Sequence, residues 1–324
     1  METYLVTGAI GFVGTQICAQ LIESGHKVIG IDSMNNSYDP AIKHIRLKEL
    51  EHHKMFEFHN MDILDQSSLA RFANCKFTGI IHLAARAGVR QSLLDPHSYL
   101  DTNIIGTLNL LELCRLSNTR KFVLASTSSL YGETNSKLIA ETNPTDLPLT
   151  PYSVSKKSAE LLCYSYHAQY SIDISINRYF TVYGQFGRPD MSIFKFIKLI
   201  DENNVLTIFG DGNQTRDFTH VNDVASGTIK SLKKVGYEIF NLGSNNPVSV
   251  NQVIAVIESR LGKTAQKKYL PRHNADVTST YADITKAHKT LNWVPKVSFE
   301  DGINMTIDWY MDNTSWINRI QIGE

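Results

Sequence analysis

The chain has 324 residues, 42% of them hydrophobic, enough for one large or two modest domains with a buried core. Lys plus Arg and Asp plus Glu each number 32, so the formal net charge is zero and no basic excess invites nucleic acid or anionic membrane. No apolar run reaches the length of a membrane span, and no signal-peptide pattern precedes the first strand.

Residues 4–7 are predicted to form a short apolar strand. Gly8, Gly11 and Gly14 follow at Gly-x-x-Gly-x-x-Gly spacing, with Phe12 and Val13 among them, and a helix then runs to Ser24-Gly25. Glycines at such a turn let the backbone approach a pyrophosphate, and the helix N-terminus offers amide hydrogens and the positive end of its dipole. A second buried strand over 28–31 ends in Asp32, placed to accept hydrogen bonds from a ribose diol and to repel a 2′-phosphate. The unit predicts dinucleotide binding, with NAD favoured over NADP; the plain alternative is an ordinary tight turn.

Asn35, Asn36 and Tyr38 lie in the loop beyond, against an adenosine or as turn residues. A strand over 56–59 leads to Asp62 and Ile63, where the acid meets an adenine amino group or caps the next helix. A strand over 79–85 holds His82, read as a packed core residue. It runs through Leu83, Ala84 and Ala85 into Arg86, Ala87, Gly88, Val89 and Arg90, whose small residues let a flat cofactor pass close. Asn103 and Gly106 sit on the following helix. A strand over 121–125 carries Ser126, Thr127, Ser128 and Ser129 at its C-terminal end, the edge at which open parallel sheets bind ligands. The four cysteines, Cys18, Cys75, Cys114 and Cys163, are scattered. They are expected to be reduced, buried thiols of a cytoplasmic protein, and neither they nor the histidines show metal-ligand spacing.

Thr150 reads as a helix N-cap and Pro151 as the first helical residue, which sets Tyr152 and Lys156 one turn apart on one face. A free phenol, with a pKa of about 10, is a poor base near neutral pH. An ammonium group beside it, out of bulk water, favours the phenolate. The pair suits removal of a proton from a substrate hydroxyl, provided something else accepts the hydride; the plain alternative is a surface Tyr and Lys at helical spacing.

Taken together, Gly8 to Gly14, Asp32, Asp62, Ala84 to Arg90, Asn103, Thr127 with Ser128-Ser129-Leu130-Tyr131-Gly132, and Tyr152 with Lys156 resemble the extended short-chain dehydrogenase/reductase family, the nucleotide-sugar epimerases and dehydratases. The resemblance covers essentially the whole chain. It implies an α/β fold, a Rossmann-like doubly wound parallel sheet with a smaller C-terminal substrate-binding region. Residues 1–178 would bind NAD, with 214–247 returning to them, and 179–213 and 248–324 would bind a UDP-sugar. It implies a catalytic triad: Thr127 bonds the reacting hydroxyl, Tyr152 removes its proton, and Lys156 lowers the Tyr152 pKa and holds the nicotinamide ribose. Cofactor contacts fall on Gly8, Gly11, Phe12, Val13, Gly14, Asp32, Asn35, Asn36, Asp62, Ile63, Leu83, Ala84, Ala85, Ala87, Asn103 and Tyr179, besides Tyr152 and Lys156. Relatives dimerise through the Tyr152 helix and the one before it, and apolar Leu161, Leu162 and Tyr164 suit either a homodimer or a core face.

A strand over 172–177 leads into Thr181 and Gly187-Arg188-Pro189-Asp190-Met191, which resemble the signature of the epimerases acting on UDP-glucuronate. Relatives acting on UDP-galactose usually carry Asn at Thr181 and lack that run. A uronate carboxylate needs donors; Thr127, Ser128, Ser129 and Thr181 offer hydroxyls and Arg188 charge, to the sugar or to a phosphate, and the plain alternative is loop residues shaping a neutral sugar pocket. Related dehydratases carry Asp-Glu straight after the catalytic Thr, and related decarboxylases a Glu at Ser129. Ser128 and Ser129 stand here instead, so 4-epimerisation of UDP-glucuronate to UDP-galacturonate through a 4-keto sugar is expected, without elimination or loss of carbon dioxide. Arg216 is expected on the diphosphate, Arg272 and Asp276 where relatives meet the nucleotide, and Arg90 elsewhere on the substrate, while Asp217, Asp223 and Trp293 hold structure, the Trp in the small domain. Ile10 and Asn274-Ala275 depart from the family pattern. The alternatives are a 4-epimerase of another UDP-hexose, N-acetylhexosamines and N-acetyl-uronates included, and a catalytically idle NAD-binding regulator on the same fold.

Overall fold

Strands covered on both faces must be apolar throughout, and short Val/Ile/Leu runs alternating with helical segments fold as a parallel sheet with crossover helices. The structure, a computed structural model, describes residues 1–134 and 136–323. Its strands are β1 (Thr3–Thr7), β2 (Lys27–Asp32), β3 (Phe56–Asn60), β4 (Gly79–His82), β5 (Lys121–Thr127), β6 (Asp173–Tyr179), β7 (Thr181–Tyr183), β8 (Val205–Phe209), β9 (Thr215–His220), β10 (Tyr237–Leu242), β11 (Pro247–Ser249) and β12 (Gln266–Leu270). Seven of them form one sheet in the order β10-β6-β5-β4-β1-β2-β3, with every pairing parallel. This is the doubly wound sheet expected.

The order reverses at β1, whose neighbours are β2 and β4, and such a switch point opens a crevice at the carboxyl ends of the strands. Successive residues face opposite ways along a strand. Leu5 therefore packs with Ile31, Ile80, Leu110 and Phe122 on one face, while Tyr4 and Val6 pack with Ile17, Ile81 and Val123 on the other. The strand expected over 79–85 stops at His82, and the next continues to Thr127. Both differences bring chemistry-bearing residues to the edge of the crevice.

β7, β9 and β11 form a three-stranded sheet, and β8 pairs with β12. They cover a second core that includes Phe194, Ile197, Phe218, Ile254, Ile307 and Tyr310. From β9 the chain returns through the helix Val221–Lys230 to β10, the outermost strand of the large sheet. Asp217 on β9, wholly buried, accepts from the Ser244, Asn245 and Ala282 amides and holds that crossing together. Trp293 differs from expectation: it packs not within the small domain but with Val224, Phe240 and Leu242 beside the large sheet, and its indole donates to the Asp223 carbonyl at 3.0 Å.

All four cysteines are free; three are buried and Cys75 is half-buried. Among the described residues no helix is long and apolar enough to cross a membrane, and no cluster of His, Cys, Asp and Glu could hold a metal.

Beneath the helix Pro151–Tyr170 lies a buried ion pair. Arg178 on β6 reaches Glu160 with Nε at 3.0 Å and Nη2 at 2.7 Å, and Ser126 donates to the same carboxylate at 2.6 Å. Removing one partner of such a pair leaves an uncompensated charge. Arg178→Met is therefore expected to cost about 3–5 kcal/mol in urea unfolding, and Arg178→Met combined with Glu160→Leu to recover most of it. Equal losses in the single and double variants would contradict this account.

Candidate active site

The glycine loop is a close contact between backbones. Gly8 has φ of +69°, and a Cβ on it would lie 2.8 Å from the Ala84 amide nitrogen. A Cβ on Gly14 would fall 2.0 Å from the Gly8 carbonyl oxygen, so the helix Phe12–Glu23 can start here only with glycine at that position. No side chain caps this helix, and its first amides face the crevice beside β1. The cradle matches the approach of a pyrophosphate.

Asp32, at the tip of β2, is buried and accepts from the Met34 amide at 2.9 Å. Lys43 Nζ lies 3.4 Å from it and 3.1 Å from Asn35 Oδ1. Asn35 also accepts from Ser37 and so organises its own loop, while Asn36 is exposed. Arg46, wholly buried on the helix Ala41–Glu51, donates to the Ile10 carbonyl, the Tyr38 hydroxyl and the Phe186 carbonyl. Lys43, Arg46 and Arg188 all lie over the Tyr38 ring, 5.1–5.5 Å from its centroid.

Beyond β4 the half-buried residues Leu83, Ala84, Ala85 and Ala87 line the opposite wall of the crevice. Asn103 clamps them from behind: Oδ1 accepts from the Arg86 amide at 2.8 Å, and Nδ2 donates to the Arg86 carbonyl and to Ser155 Oγ. Its amide thus acts on the wall and the Tyr152 helix.

Thr150 caps that helix and Pro151 opens it. Tyr152 is half-buried and meets Tyr99 edge-to-face, with centroids 6.2 Å apart. Burial raises its phenol pKa against the charge of Arg188 and the nearby Thr127 hydroxyl, which donates to Ser129 Oγ at 3.1 Å. Lys156, one turn along the helix, is itself starved of water. It is 4% exposed, no hydrogen bond joins it to a described residue, and burial lowers its pKa to about 8 against the field of Glu160. A buried ammonium with no hydrogen-bond partner among the described residues, on the same fold as a glycine cradle and a buried acid at a strand tip, fits a dinucleotide.

Thr127 closes β5 and accepts from the Ser129 amide at 3.1 Å, which turns Ser128 and Ser129 along the site. Thr181 is half-buried on β7. Arg188 gives Nε and Nη2 to Asp190, at 3.0 and 2.6 Å, and Nη2 also to the Ala87 carbonyl at 3.1 Å. Its Nη1 donors bond no described residue. Farther along, Arg90 pairs with Asp276 at 2.6 Å and lies 3.9 Å above the Phe209 ring. Arg216 stands in the field of Asp276 and Glu133, and desolvation lowers its pKa. Asp276 is thus kept beside Arg90 and Arg216 despite the atypical Asn274-Ala275.

Three expected contacts lie elsewhere. Asp62 is exposed and accepts from the Leu64 amide, making its own turn. Ile63 packs inward under Gly106. The Tyr179 hydroxyl meets Thr228 at 2.7 Å inside the core. Lys43, Arg46 and Tyr99 were not singled out from the sequence. Arg46 falls midway between Ile42 and Leu50 on one buried stripe, a readable sign of a cation with inward partners.

The sequence profile of the GDP-mannose 4,6 dehydratase family matches residues 5–306. A UDP-glucuronate 4-epimerase of Thermodesulfobacterium geofontis (strain OPF15) is 50% identical over 324 residues, covering 99% of this chain and 100% of that protein. UDP-glucuronic acid 4-epimerase from Bacillus cereus, solved with UDP-glucuronic acid and NAD, aligns with a TM-score of 0.90 at 39% identity, over 96% of this chain and 99% of that one. UDP-glucose 4-epimerase from Thermotoga maritima, solved with UDP-glucose, aligns with a TM-score of 0.89 at 30% identity and the same coverage.

The lowered pKa of Lys156 has a thermodynamic sign. The unfolded chain holds this proton more tightly, so burying the ammonium costs stability below about pH 8, and the cost fades toward the unfolded value of 10.5. Lys156→Met is expected to abolish turnover of the NAD-loaded protein and yet, in cofactor-depleted protein, to stabilise the fold at pH 7 by about 1–3 kcal/mol. Urea unfolding at pH 7 and pH 10 checks this; a variant less stable at pH 7, or a gain that grows with pH, would refute it.

Proposed function

The chain belongs to the GDP-mannose 4,6 dehydratase family of extended short-chain dehydrogenases/reductases, and on that premise we propose that it catalyses NAD-dependent 4-epimerisation of UDP-glucuronate to UDP-galacturonate through a 4-keto sugar. The carrying observation is Arg188, a largely buried guanidinium whose charge reaches the Tyr152 phenol and whose Nη1 donors bond no described residue. A neutral sugar does not need a desolvated cation beside its reacting carbon, whereas a carboxylate at C5 does.

The glycine loop, Asp32, the 83–87 wall and Lys156 would hold NAD. When bound, it supplies the reversible two-electron acceptor for C4. Thr127 bonds the C4 hydroxyl and Tyr152 removes its proton, then returns it to the other epimer. Lys156 keeps positive charge behind the phenolate and meets the ribose. Arg188 holds the carboxylate, with Ser128, Ser129 and Thr181 as neutral donors. The keto intermediate is a β-keto acid, and pairing its carboxylate with a cation holds the negative charge there and opposes its flow into the C4 carbonyl as an enolate with loss of neutral carbon dioxide. No side chain at 128 or 129 titrates near neutral pH to assist an elimination. Arg216, Arg90 and Asp276 serve the nucleotide diphosphate end.

Residues 1–178, with 214–247 returning to them, make the cofactor unit, and 179–213 with 248–324 the sugar-nucleotide unit. The protein acts as a homodimer in the cytoplasm. Its free thiols suit a reducing compartment. Leu116, Val154, Leu161 and Tyr164, each at least 40% exposed, lie on the helices Gly106–Leu116 and Pro151–Tyr170, where a second copy would cover them.

Two measurements test this reading. Purified protein incubated with UDP-glucuronate and no added NAD is expected to yield UDP-galacturonate and no UDP-pentose, with Tyr152→Phe reducing the rate by about 100-fold or more. Turnover of UDP-glucose but not UDP-glucuronate would overturn the uronate assignment. Light scattering is expected to give twice the 36.5 kDa chain mass, and Leu161→Asp to shift it toward one; a wild-type monomer at micromolar concentration would rule out the dimer.

A further inference from the structure

His82 ends β4, 2% exposed, and no step above uses it. Both ring nitrogens are engaged. Nδ1 lies 2.7 Å from Thr7 Oγ1, and Nε2 lies 3.0 Å from Thr107 Oγ1. Counting hydrogens fixes every direction. The Thr107 hydroxyl donates its single hydrogen to the Asn103 carbonyl at 2.6 Å, so it must accept from His82, and Nε2 carries the N–H. Burial and the nearby charge of Lys156 lower the ring pKa to about 3, so Nδ1 is bare and takes the Thr7 hydrogen. Thr7 Oγ1 then accepts from the Ala84 amide at 3.3 Å. The other tautomer would set two bare acceptors, Nε2 and Thr107 Oγ1, against each other.

The two ends of this chain of bonds lie on the two halves of the site. Ala84 is the residue against which Gly8 packs without a Cβ. Asn103 sits in a π-helical turn, Asp101–Ile105, a widened geometry that disturbs the regular backbone ladder and that the Thr107 hydroxyl helps to satisfy. From Asn103 the bonds continue to both backbone groups of Arg86 and to Ser155 Oγ, which donates to the Tyr152 carbonyl at 2.8 Å. The wall that faces the glycine loop is thus held at Ala84 by Thr7 and at Arg86 by Asn103. Among the described residues His82, through Thr107, joins the two clamps.

We infer that His82, fixed as its Nε2–H tautomer, is the positioning residue that registers the Tyr152–Lys156 helix against the glycine loop, a role that rests on the assignment of those residues above. It touches neither substrate nor cofactor and acts through Thr7, Thr107 and Asn103.

The test compares wild type, His82→Gln and His82→Leu as purified holoenzymes, with NAD per subunit measured after denaturation. Turnover of UDP-glucuronate per NAD-loaded subunit is expected to fall about 10- to 100-fold in His82→Leu while KM stays within about threefold, because misplacement of a reacting group costs rate rather than binding. His82→Gln, whose amide can still donate to Thr107, is expected to recover most of that loss. Unchanged turnover in His82→Leu, or equal losses in both variants, overturns the proposal. Nitrogen-15 NMR of the wild type, labelled at histidine, supplies an independent reading. One histidine is expected as a non-titrating Nε2–H tautomer between about pH 5 and 9, its signal absent from His82→Gln. An Nδ1–H tautomer or an ordinary titration overturns the role even if UDP-glucuronate proves not to be the substrate, in which case the failed wild-type assay counts against the substrate alone.

Discussion

The site depends on one steric constraint: three backbone segments meet where side chains have been removed. Gly14 sits on the Gly8 carbonyl, and Gly8 sits on Ala84. A methyl group at either glycine would push β1, the first helix and the β4 wall apart. Because the segments close together, the amides of the Phe12–Glu23 helix face the crevice at the switch point of the sheet, and a dinucleotide can lie across bare backbone. Thr7 and Asn103 hold the wall that completes this contact, so the cofactor surface and the catalytic helix are parts of one hydrogen-bonded assembly.

Buried charge is distributed around this assembly in a graded way. Arg178 is fully compensated by Glu160 and braces the catalytic helix. Arg188 is half compensated, by Asp190, and keeps donors in reserve. Lys156 has only the field of Glu160, a carboxylate already engaged by Arg178. The protein satisfies these cations less and less in that order, and the two it satisfies least are those the proposed reaction uses. Desolvating an ammonium without a full partner destabilises the fold, and that instability is relieved when ligand groups arrive. The same gradient explains why His82 must stay neutral: a second charge beside Lys156 would raise a cost the fold already bears.

Much of this was legible in the amino-acid sequence, and the limits have physical reasons. Gly8 to Gly14, Asp32 and the Thr150-Pro151 cap announce themselves because backbone conformation and helix termini are local properties. The parallel sheet followed from apolar runs alternating with helices. Residues whose meaning lies in a partner far along the chain were harder. Tyr179 reads as a site residue by position but turns into the core, because a strand's side chains alternate and one residue of register decides the face, while the side chain of Ile63, in the turn after β3, fills the space left by Gly106. The burial of Lys156, which lowers its own pKa to about 8, is a property that no spacing reveals. Trp293 packs beside the large sheet because helix Val221–Lys230 carries Gly227 there, and only topology brings them together.

Arg46 shows how the two units act as one. Its guanidinium spans the Ile10 carbonyl of the glycine loop, the Tyr38 hydroxyl and the Phe186 carbonyl, two residues before Arg188. Phe186 has φ of +57°, a left-handed conformation costly for an aromatic residue, and its carbonyl accepts both Arg46 Nε and Nη2 there. The loop that presents Arg188 is therefore set by a contact from the cofactor side. The proposed reaction needs the C5 carboxylate held by Arg188 while the neighbouring C4 faces the nicotinamide, and a flexible joint between the two loops would not deliver that. A buried fork of five donors does, because it fixes both loops to one planar group and leaves neither free to shift alone.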